Sequence, residues 1–559
     1  MPFDTKGLQW GPQNGVMRTP NLDLRQVRRL TSHGRRAGLL ASCCVIPVLT
    51  PFASAAGSDA RAPVLSARAF SATSGSAPFA GDYRLLTTIS PNGDGLRDEA
   101  TIHFTLSEPA ATRLEIRRTR PAGLVFSRTM RLHAGRNALT WSPTAAGPGT
   151  YLVRLVLADA AGSRRTYDVE QTRGARSRGT PVVRVLGIDA SFTRESSAPG
   201  RVTSLEISTD VPSLTLEFFR SGPGVQNMIA VTEPLALGWR THLNRRARMR
   251  VRVGNWPTGV YYVQLTADDG QVGYAPLIVR PARLGRNRVA VVLPTNTWQA
   301  YNFWDEDGDG VGDTWYAGCP TCTVRLDRPY LGRGEPPHFQ DYDLPFLHWL
   351  AWGKRPVDYL AESDLEAVPN GAALARAYDL IIFPGHHEYV TTHEYNVVVG
   401  YRNLGGNLIF LSANNFYWRV ERRGRLLRRT AKWRQLGRPE AGLIGVQYRA
   451  SDRGQRKGSF VVRNTAAAPW FFKGTNLVVG SRLTGFGVEI DATAASSPRR
   501  TRILAEIPNF FGPRVTAQMT YYETRAGAKV FAAGAFTLAR TWEPGNTLLN
   551  NLWAHLEKP

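Results

Sequence analysis

The sequence predicts a multidomain fold, in which two β-sandwich modules are followed by an α/β domain with a doubly wound parallel sheet. Residues 82–172 and 180–281 contain short runs of alternating apolar and polar residues separated by Gly and Pro, which is typical of sandwich strands. Residues 285–559 instead combine unbroken apolar runs with helical periodicity, which indicates parallel strands joined by helices. A chain of 559 residues is also too long for one core.

Residues 1–55 are predicted to be an export signal. Residues 37–52 are apolar and residues 53–55 (Ala-Ser-Ala) fit the small-residue cleavage rule. The basic region before them contains Arg25, Arg28, Arg29, Arg35 and Arg36. Residues 40–43 resemble a lipoprotein box but leave little apolar chain before Cys43, so secretion is favoured over lipid attachment. We therefore expect a secreted or cell-envelope-associated protein, exported by the general or the twin-arginine route, with residues 56–81 as a linker.

The formal net charge of +24 raises nucleic acid as a partner, because summed charge attracts polyanions. The positive residues are scattered, however, and no zinc finger, basic helix or aromatic-interleaved basic repeat accompanies them. The densest run, residues 419–434, is interpreted as a solvated hairpin or helix. We therefore expect no nucleic-acid partner.

The first module, residues 82–172, contains four alternating runs: residues 100–106, 112–116, 138–141 and 149–156. The segment of residues 90–99 that precedes the first run resembles the Ig-like domain of flagellar hook-capping proteins. This resemblance implies a structural or adhesive module, with contact to the cell envelope as its expected role.

The second module, residues 180–281, again alternates, at residues 202–208, 213–219, 249–253 and 259–265. Residues 256–261 resemble the closing turns of the first module. The two modules are therefore predicted to be Ig-like sandwiches. An origin of both from one duplicated module that has since diverged is an open alternative.

The α/β domain is predicted for residues 285–559. Apolar runs at residues 289–293, 380–383 and 408–411 are interpreted as buried strands, and residues 344–352 have helical spacing. Thr391 and Glu394 form a capping box that opens a helix ending near Asn403. The order of strands and helices favours a doubly wound sheet of the class I amidotransferase or flavodoxin kind.

Two of these strands lead directly into polar and aromatic clusters, around Tyr389 and around Tyr417. Parallel strands end on the same edge of a sheet, where α/β folds bind ligands. The active site is therefore expected between the two clusters. A thiol mechanism is disfavoured because no Cys stands at the His386 position, and a zincin helix is excluded because His393 is too far from Glu388.

Cys319 and Cys322 are the only cysteines left after signal cleavage. A redox dithiol, a zinc site and a loop-stapling disulfide are the three interpretations. No helix follows the first cysteine and no second pair completes a zinc site. The disulfide is therefore favoured.

An acidic loop lies between residues 305 and 313. Its aspartates have the ligand spacing of a calcium-binding loop, with Gly310 at the sharp turn; these are Asp305, Asp307, Asp309 and Asp313. Tyr316 stands where that loop carries a bidentate glutamate. A Ca²⁺ site is favoured over a solvated acidic loop, and Asn92, Asp94 and Asp98 form a weaker second candidate.

Six segments in the C-terminal half together resemble a known family: residues 295–302, 328–330, 385–389, 405–407, 414–419 and 485–491. They occur in the order found in the large (beta) subunit of N,N-dimethylformamidase and its relatives, and the resemblance covers residues 180–559. It implies hydrolysis of a small amide by water that a single ferric ion activates. It places the iron ligands at Tyr389, Tyr417 and Glu489, and it leaves His387, Glu388 and Asn414 to orient substrate or move protons.

Two function classes follow from these patterns. The first is an exported metal-dependent amide hydrolase. The second is a non-catalytic extracellular or cell-surface binding protein with a degenerate hydrolase-like domain, in which the two tyrosines pack at strand ends without a metal. The resemblance implies an enzyme that acts inside cells with a small subunit, whereas this chain is predicted to be exported and to carry an added Ig-like module. Fold alone does not decide activity.

Overall fold

The computed structural model describes most of the chain from residue 62 onward. The described ranges are 62–65, 71–74, 86–91, 97–119, 122–143, 146–147, 149–167, 182–222, 229–243, 246–268, 270–302, 304, 314–315, 322–330, 334–452, 454–540 and 545–558. The predicted export signal, most of the linker and all four aspartates of the predicted calcium loop lie outside these ranges.

The first described region is built from nine strands in two sheets that share one core. The strands are β1 (Ser71–Thr73), β2 (Leu86–Ile89), β3 (Ala100–Leu106), β4 (Ala110–Thr119), β5 (Ala122–Leu132), β6 (Gly135–Trp141), β7 (Gly149–Ala158), β8 (Arg164–Tyr167) and β9 (Val182–Val185). One sheet has the order β1-β3-β6 and the other β2-β9-β7-β4-β5, with β8 beside β7. The alternating burial of β3 puts Ile102 and Phe104 into the core, against Trp141 and Val153.

The second described region repeats this arrangement with another nine strands. They are β10 (Asp189–Phe192), β11 (Ser196–Ser197), β12 (Val202–Ser208), β13 (Ser213–Arg220), β14 (Ile229–Ala230), β15 (Leu235–Gly238), β16 (Ala247–Arg252), β17 (Gly259–Thr266) and β18 (Val272–Val279). A short 3-10 turn lies at Arg240–His242. The sheets have the orders β10-β12-β16 and β11-β18-β17-β13-β14, with β15 beside β13. Strand β9, which falls within the range predicted for this region, pairs instead with β2 and β7 of the first.

The C-terminal region contains fifteen described strands. They are β19 (Val289–Leu293), β20 (Thr323–Arg325), β21 (Asp358–Ala361), β22 (Leu380–Phe383), β23 (Tyr389–Thr391), β24 (Asn407–Phe410), β25 (Trp418–Arg423), β26 (Leu426–Lys432), β27 (Gln447–Ser451), β28 (Lys457–Val462), β29 (Arg482–Ala492), β30 (Arg502–Ile507), β31 (Ala517–Glu523), β32 (Lys529–Ala532) and β33 (Ala535–Phe536). Eleven form one sheet, with the order β21-β19-β22-β24-β32-β31-β30-β28-β29-β27 and β33 beside β29. The other four form a small sheet of order β20-β26-β25-β23.

The described helices are short. They are α1 (Thr295–Ala300), α2 (Phe339–Tyr342), α3 (Leu344–Trp352), α4 (Glu362–Glu366), α5 (Gly371–Ala377), α6 (Thr392–Asn403), α7 (Ala441–Ile444), α8 (Pro469–Phe472) and α9 (Gly545–Leu556), with 3-10 turns at Trp433–Leu436 and Leu538–Arg540. Both faces of β19 are buried: Val291 contributes to a core with Phe346 of α3, and Val292 to a core with Val398 of α6. Within the described ranges, none of the helices is long and apolar enough to cross a bilayer.

The prediction of a doubly wound α/β domain for residues 285–559 is wrong. Parallel pairing links β21, β19, β22, β24 and β32, but the large sheet continues through antiparallel strands. Between β24 and β32 the chain forms mainly hairpins, and the helices there, α7 and α8, have four residues each. The apolar runs that suggested parallel strands end at residue 411, and the alternating strands β27 to β31 beyond them make this region predominantly β.

Candidate active site

Two loops meet at one edge of the large sheet. Strands β22 and β24 pair in parallel, with Phe383 opposite Phe410, so the chain leaves both strands at the same edge. The loops are held together by backbone hydrogen bonds, from Phe416 N to His387 O (2.7 Å) and from Tyr417 N to Glu388 O (3.1 Å). The structure thus brings together the two polar clusters that the sequence singles out.

Four ionisable side chains form a cluster at these loops, of which Tyr301, His386 and Glu388 are buried and Glu489 is partly buried. Nε2 of His386 is 3.4 Å from a carboxylate oxygen of Glu388 and 3.5 Å from one of Glu489. The hydroxyl of Tyr301 donates to Glu388 and lies 3.0 Å from the same His386 nitrogen. His386 and Glu388 are 5% and 6% exposed. Such a water-poor environment strengthens each of these electrostatic interactions.

The charges in this cluster depend on one another. Burial alone would lower the pKa of His386, but the negative charge of Glu489 and the hydrogen bond to Glu388 outweigh it and raise the pKa to about 9. Burial also opposes ionisation of Glu388. The hydrogen bond from His386 and the positive charge of His386 nevertheless hold the pKa of Glu388 below its usual value. Burial raises the pKa of Glu489 to about 7 against the attraction of His386. The positive charge of a protonated His386 and the negative charge of Glu388 thus stabilise each other.

Glu489 reaches the cluster through an irregularity in β29. The pairing of β29 with β33 shifts register between Gly487 and Ile490, and Val488 has a φ of 71°. Positive φ is unusual for a β-branched residue and costs free energy that the surrounding structure must supply. The bulge therefore sets the direction of the Glu489 side chain.

Asn414 links the two loops to β29. Its side chain hydrogen-bonds Glu489, and its backbone N–H donates to both carboxylate oxygens of Asp491, at 2.9 and 3.0 Å. Asn414 and Phe416 have φ values of 55° and 56°. Two residues of the turn before Tyr417 therefore adopt the left-handed backbone conformation. Asp491 thus holds a strained turn against the strand that presents Glu489.

Tyr389 lies in β23, and Tyr417 lies directly before the neighbouring strand β25. Tyr389 begins β23 opposite Trp418 of β25, and its side chain hydrogen-bonds Glu388. The ring of Tyr417 lies 5.1 Å from that of Tyr448, beneath Lys432 and Arg434, each 5.0 Å from its centroid. Burial and the charge of Glu489 raise the pKa of Tyr448 well above the usual value.

The oxygens of this edge suit a hard cation. Oε2 of Glu489 is buried and has no hydrogen-bond partner among the described residues. No group of three His, Cys, Asp or Glu side chains in the described ranges is arranged to hold a metal ion. A metal here would therefore depend on the phenols of Tyr389 and Tyr417 together with Glu489. Phenolate and carboxylate oxygens are the hard donors that a trivalent ion prefers.

His387 points away from this cluster. It is fully buried, with Nδ1 3.1 Å from the carbonyl of Gly385 and Nε2 3.0 Å from that of Val292. Both carbonyls favour protonation of His387, but the effect of burial is larger and lowers the pKa of His387 to about 3. The ring therefore fastens the loop after β22 to strand β19, while His386 faces the cluster.

Four residues of the site were given no role from the sequence: Tyr301, His386, Tyr448 and Asp491. A signal for Tyr301 was present, because β19 is another buried strand that leads into a polar and aromatic segment, and it pairs in parallel with β22. The same logic that selected residues 386–389 applies to residues 295–302. No local spacing pointed to Tyr448 or Asp491, because both are recruited by antiparallel pairing of β27 with β29.

The remaining predicted sites are described only in part. Cys322 is disulfide-bonded, which agrees with the disulfide interpretation, whereas Cys319 lies outside the described ranges. Asp305, Asp307, Asp309 and Asp313 lie outside them as well. Of the second calcium candidate, Asp98 alone is described. Both calcium sites remain predictions.

Comparisons with known proteins identify the family. Residues 226–546 match the family described as N,N-dimethylformamidase beta subunit-like, C-terminal. The N,N-dimethylformamidase beta subunits of Alcaligenes sp and Paracoccus aminophilus are 29% and 28% identical over 152 residues, which is 26% of this chain and 18% of each relative. The match thus spans less than a fifth of the length of these relatives.

Solved structures show weaker likeness. Trypsin-activated alpha-2-macroglobulin from Escherichia coli is 11% identical with a TM-score of 0.23, over 40% of this chain and 18% of that protein. Salmonella alpha-2-macroglobulin reacted with methylamine is 9% identical with a TM-score of 0.21, over 39% and 16%. Scores this low assign no shared fold. The family match, by contrast, covers more than half of the chain, which therefore belongs to the N,N-dimethylformamidase beta subunit-like family.

Proposed function

We propose that the protein is an exported hydrolase that cleaves the C–N bond of a small amide, with iron held by Tyr389, Tyr417 and Glu489. Family membership supports the amide-hydrolase class. The observation that most directly supports the site is the convergence of both tyrosine-bearing loops and Glu489 on the buried His386–Glu388 pair. Buried ionisable groups with perturbed pKa values are a common mark of catalytic sites.

The iron ion would supply Lewis acidity toward water and the amide carbonyl when bound. Every other part of the proposal rests on this chain's own groups. Glu388 is kept ionised by His386 and by the hydroxyl of Tyr301. A buried, ionised carboxylate with fixed partners is suited to accept a proton.

Hydrolysis adds one water across the C–N bond. The acyl carbon gains the hydroxyl group, and the departing nitrogen must gain the proton that this water loses. We assign that transfer to Glu388, which accepts the proton from water and returns it to the leaving amine. Asn414 holds Glu489 by a side-chain hydrogen bond, and its amide oxygen is buried without a hydrogen-bond partner among the described residues. That oxygen is free to accept from the N–H of a primary or secondary amide substrate.

The first test is metal content and colour of the purified mature protein. Wild type should contain about one iron per chain and absorb visible light, because ferric phenolates absorb there while Ca²⁺ and zinc phenolates do not. Tyr417→Phe and Glu489→Gln should lose iron and colour together. Tyr395→Phe is the matched control, since it also removes a hydroxyl from a largely buried tyrosine, whose hydroxyl bonds the Arg438 carbonyl, outside this cluster.

The outcomes separate the two function classes. Iron that is absent from wild type, or retained in both cluster variants, contradicts the ligand assignment. Iron-loaded protein that hydrolyses none of formamide, dimethylformamide, acetamide and longer linear amides would favour the binding-protein alternative. Activity that follows iron content across the variants supports the hydrolase.

The export signal and the envelope contact are also proposals. Fractionation of the native host, with mass analysis of the mature N-terminus, tests both. Cleavage after residue 55 and recovery outside the cytoplasm are the expected results. Removal of residues 71–185, which include all nine strands of that module, should release the protein from the envelope fraction if that module is the contact.

A further inference from the structure

A cavity of about 410 Å³ lies between strands of the second β region and the C-terminal sheet. Its walls come from the end of β13, the start of β17, the segment before β19, and the turn from α3 to β21. The backbone N–H of Tyr359 donates to the hydroxyl of Thr258 at 2.9 Å, which ties two of these walls together. The volume is that of an ordinary small-molecule site.

This cavity is separate from the candidate active site. Asn287 and Val357 line it just before β19 and β21 begin, whereas His386 and Glu388 follow the end of β22. Strands β19, β21 and β22 are parallel neighbours, so the two places are at opposite ends of the same strands. The length of strand between them is roughly 17 Å.

The cavity lining is strongly cationic. It contains Arg220, Arg286, Lys354 and Arg355 and no Asp or Glu. None of the four cations forms a salt bridge with a carboxylate in the described part of the chain. Four positive charges gathered without counter-charges repel one another and attract an anion.

The carboxylates near the cavity either already accept hydrogen bonds or do not line the cavity. Asp358 accepts from the backbone and side chain of Asn287, at 3.2 and 2.9 Å, and from Tyr378 at 3.1 Å. Its carboxylate is therefore already satisfied. The charge of Glu557 acts to raise the pKa of Arg355, against the larger lowering effect of burial, but Glu557 does not line the cavity.

The cations differ in how they are held. Arg355 donates to the Trp349 carbonyl and lies 3.6 Å from the centroid of the Trp349 ring, and Arg220 donates to the Thr258 carbonyl at 3.1 Å. Arg286 and Lys354 are exposed and have no side-chain partner among the described residues. The two hydrogen-bonded arginines can orient a bound anion, and the two cations without partners add positive charge that attracts it.

Besides the cations and the polar Ser221, Thr258 and Asn287, the lining has an apolar base. The buried residues of this base are Leu347, Leu350, Val260 and Val357. A bare inorganic ion would leave this surface without contacts. We propose that the cavity binds a small amphipathic anion, a molecule with a carboxylate or phosphate head and a short apolar body. The head contacts Arg220, Arg286 and Lys354, and the body contacts the leucines of α3.

Isothermal titration calorimetry of the full chain tests this proposal with four probes: hexanoate, hexyl phosphate, inorganic phosphate and 1-hexanol. Trp349 supplies a second readout, because the charge of an anion bound in the cavity also acts on Arg355, which lies 3.6 Å from the centroid of the Trp349 ring, and so changes the tryptophan fluorescence. Hexanoate or hexyl phosphate should bind, and the tighter of the two identifies the head group. Binding should weaken as ionic strength rises.

The double variant Arg286→Gln/Lys354→Gln removes the two free cations and disturbs no side-chain hydrogen bond or salt bridge among the described residues. It should weaken binding about tenfold or more, since each charged hydrogen bond contributes at least that factor. The matched control Arg283→Gln/Lys473→Gln removes one exposed arginine and one exposed lysine outside the cavity, and it should bind like wild type.

Several results would overturn the proposal. Equal binding of 1-hexanol would show a purely apolar groove, and equal binding of inorganic phosphate would show an ion site without a role for the apolar base. Loss of affinity in the control as large as in the cavity variant would show non-specific charge attraction. No heat and no fluorescence change with either amphipathic probe at millimolar concentration would exclude the site.

Discussion

The hydroxyl of Tyr301 donates a hydrogen bond to the carboxylate of Glu388 and lies 3.0 Å from Nε2 of His386. Tyr301 caps the C-terminal end of α1, the helix that follows β19. It therefore connects a third strand end to the loops that follow β22 and β24. A single phenol thus touches both members of the charged pair at the centre of the candidate site.

Tyr301→Phe should lower kcat of the proposed amide hydrolysis by about 10- to 100-fold, because Glu388 loses a hydrogen bond to its charged form. Iron content should stay at the wild-type level, since Tyr301 is not a proposed ligand. Tyr378→Phe is the control, because that hydroxyl also donates to a buried carboxylate, Asp358, at the other end of the strands. Equal loss of kcat in both variants would show a general effect on stability and contradict the role assigned to Tyr301.

Asp491→Ala should weaken iron binding without removing any proposed ligand. Both Asp491 oxygens accept from the backbone of Asn414, and without them the left-handed turn before Tyr417 loses its anchor. We expect several-fold weaker iron affinity in chelator competition, and a stability loss of about 1–3 kcal/mol from the unsatisfied N–H. Asp159→Ala removes a carboxylate that accepts from the backbone of Ser163 in the first β region. That control should keep the iron affinity of wild type, and a loss equal to that of Asp491→Ala would refute the anchoring role.

Asp343 should make the stability of the C-terminal region depend on pH. Burial raises its pKa to about 7, against the hydrogen bond from Trp298 and the charge of His386. The unfolded value is about 3.9, so the folded state holds the proton more tightly. The stabilisation is complete below about pH 4 and is lost as pH rises toward about 7, by roughly 4 kcal/mol in total.

Asp343→Asn keeps an acceptor for Trp298 and cannot ionise. Its unfolding midpoint in urea should match wild type near pH 4.5 and exceed it near pH 8. Asp341→Asn is the control, because Asp341 is 45% exposed and pairs with Arg540. If the difference in urea midpoint between wild type and Asp343→Asn is the same at both pH values, the raised pKa of Asp343 is contradicted.

Local signals in the sequence identified individual elements better than the sheet that joins them. The predicted helix of residues 344–352 is confirmed as α3. Thr391 caps α6 by accepting from Glu394 N at 3.1 Å, but the Glu394 carboxylate has no hydrogen-bond partner among the described residues, so the reciprocal half of the predicted capping box is absent there. Periodicity and capping act within a few residues, which is why the sequence alone indicated them.

The parts that were missed depend on contacts distant in sequence. Strand β32 completes the parallel pairing with β24 only after the chain has formed the hairpins between them. Glu489 faces the cluster because β29 shifts register against β33, and no local pattern specifies a bulge whose partner strand comes later. The motif around Glu489 was found by family resemblance, and its physical cause became visible in the sheet pairing.

Gly385 should tolerate no side chain. A Cβ at this position would lie 1.9 Å from Oδ1 of Asp343 and 3.1 Å from Cγ of Pro294, and Asp343 cannot move aside, since it is buried and bonded to Trp298. Gly385→Ala should therefore destabilise the protein by about 1–3 kcal/mol through overpacking and displace the loop that carries His386 and Glu388. Gly238→Ala is the control, because nothing lies within 4 Å of the position that a Cβ would occupy there. Thermal unfolding of both variants, with iron content as a second readout, checks this: a Gly385→Ala protein as stable and as iron-rich as Gly238→Ala would mean that the loop after β22 is looser than its contacts indicate.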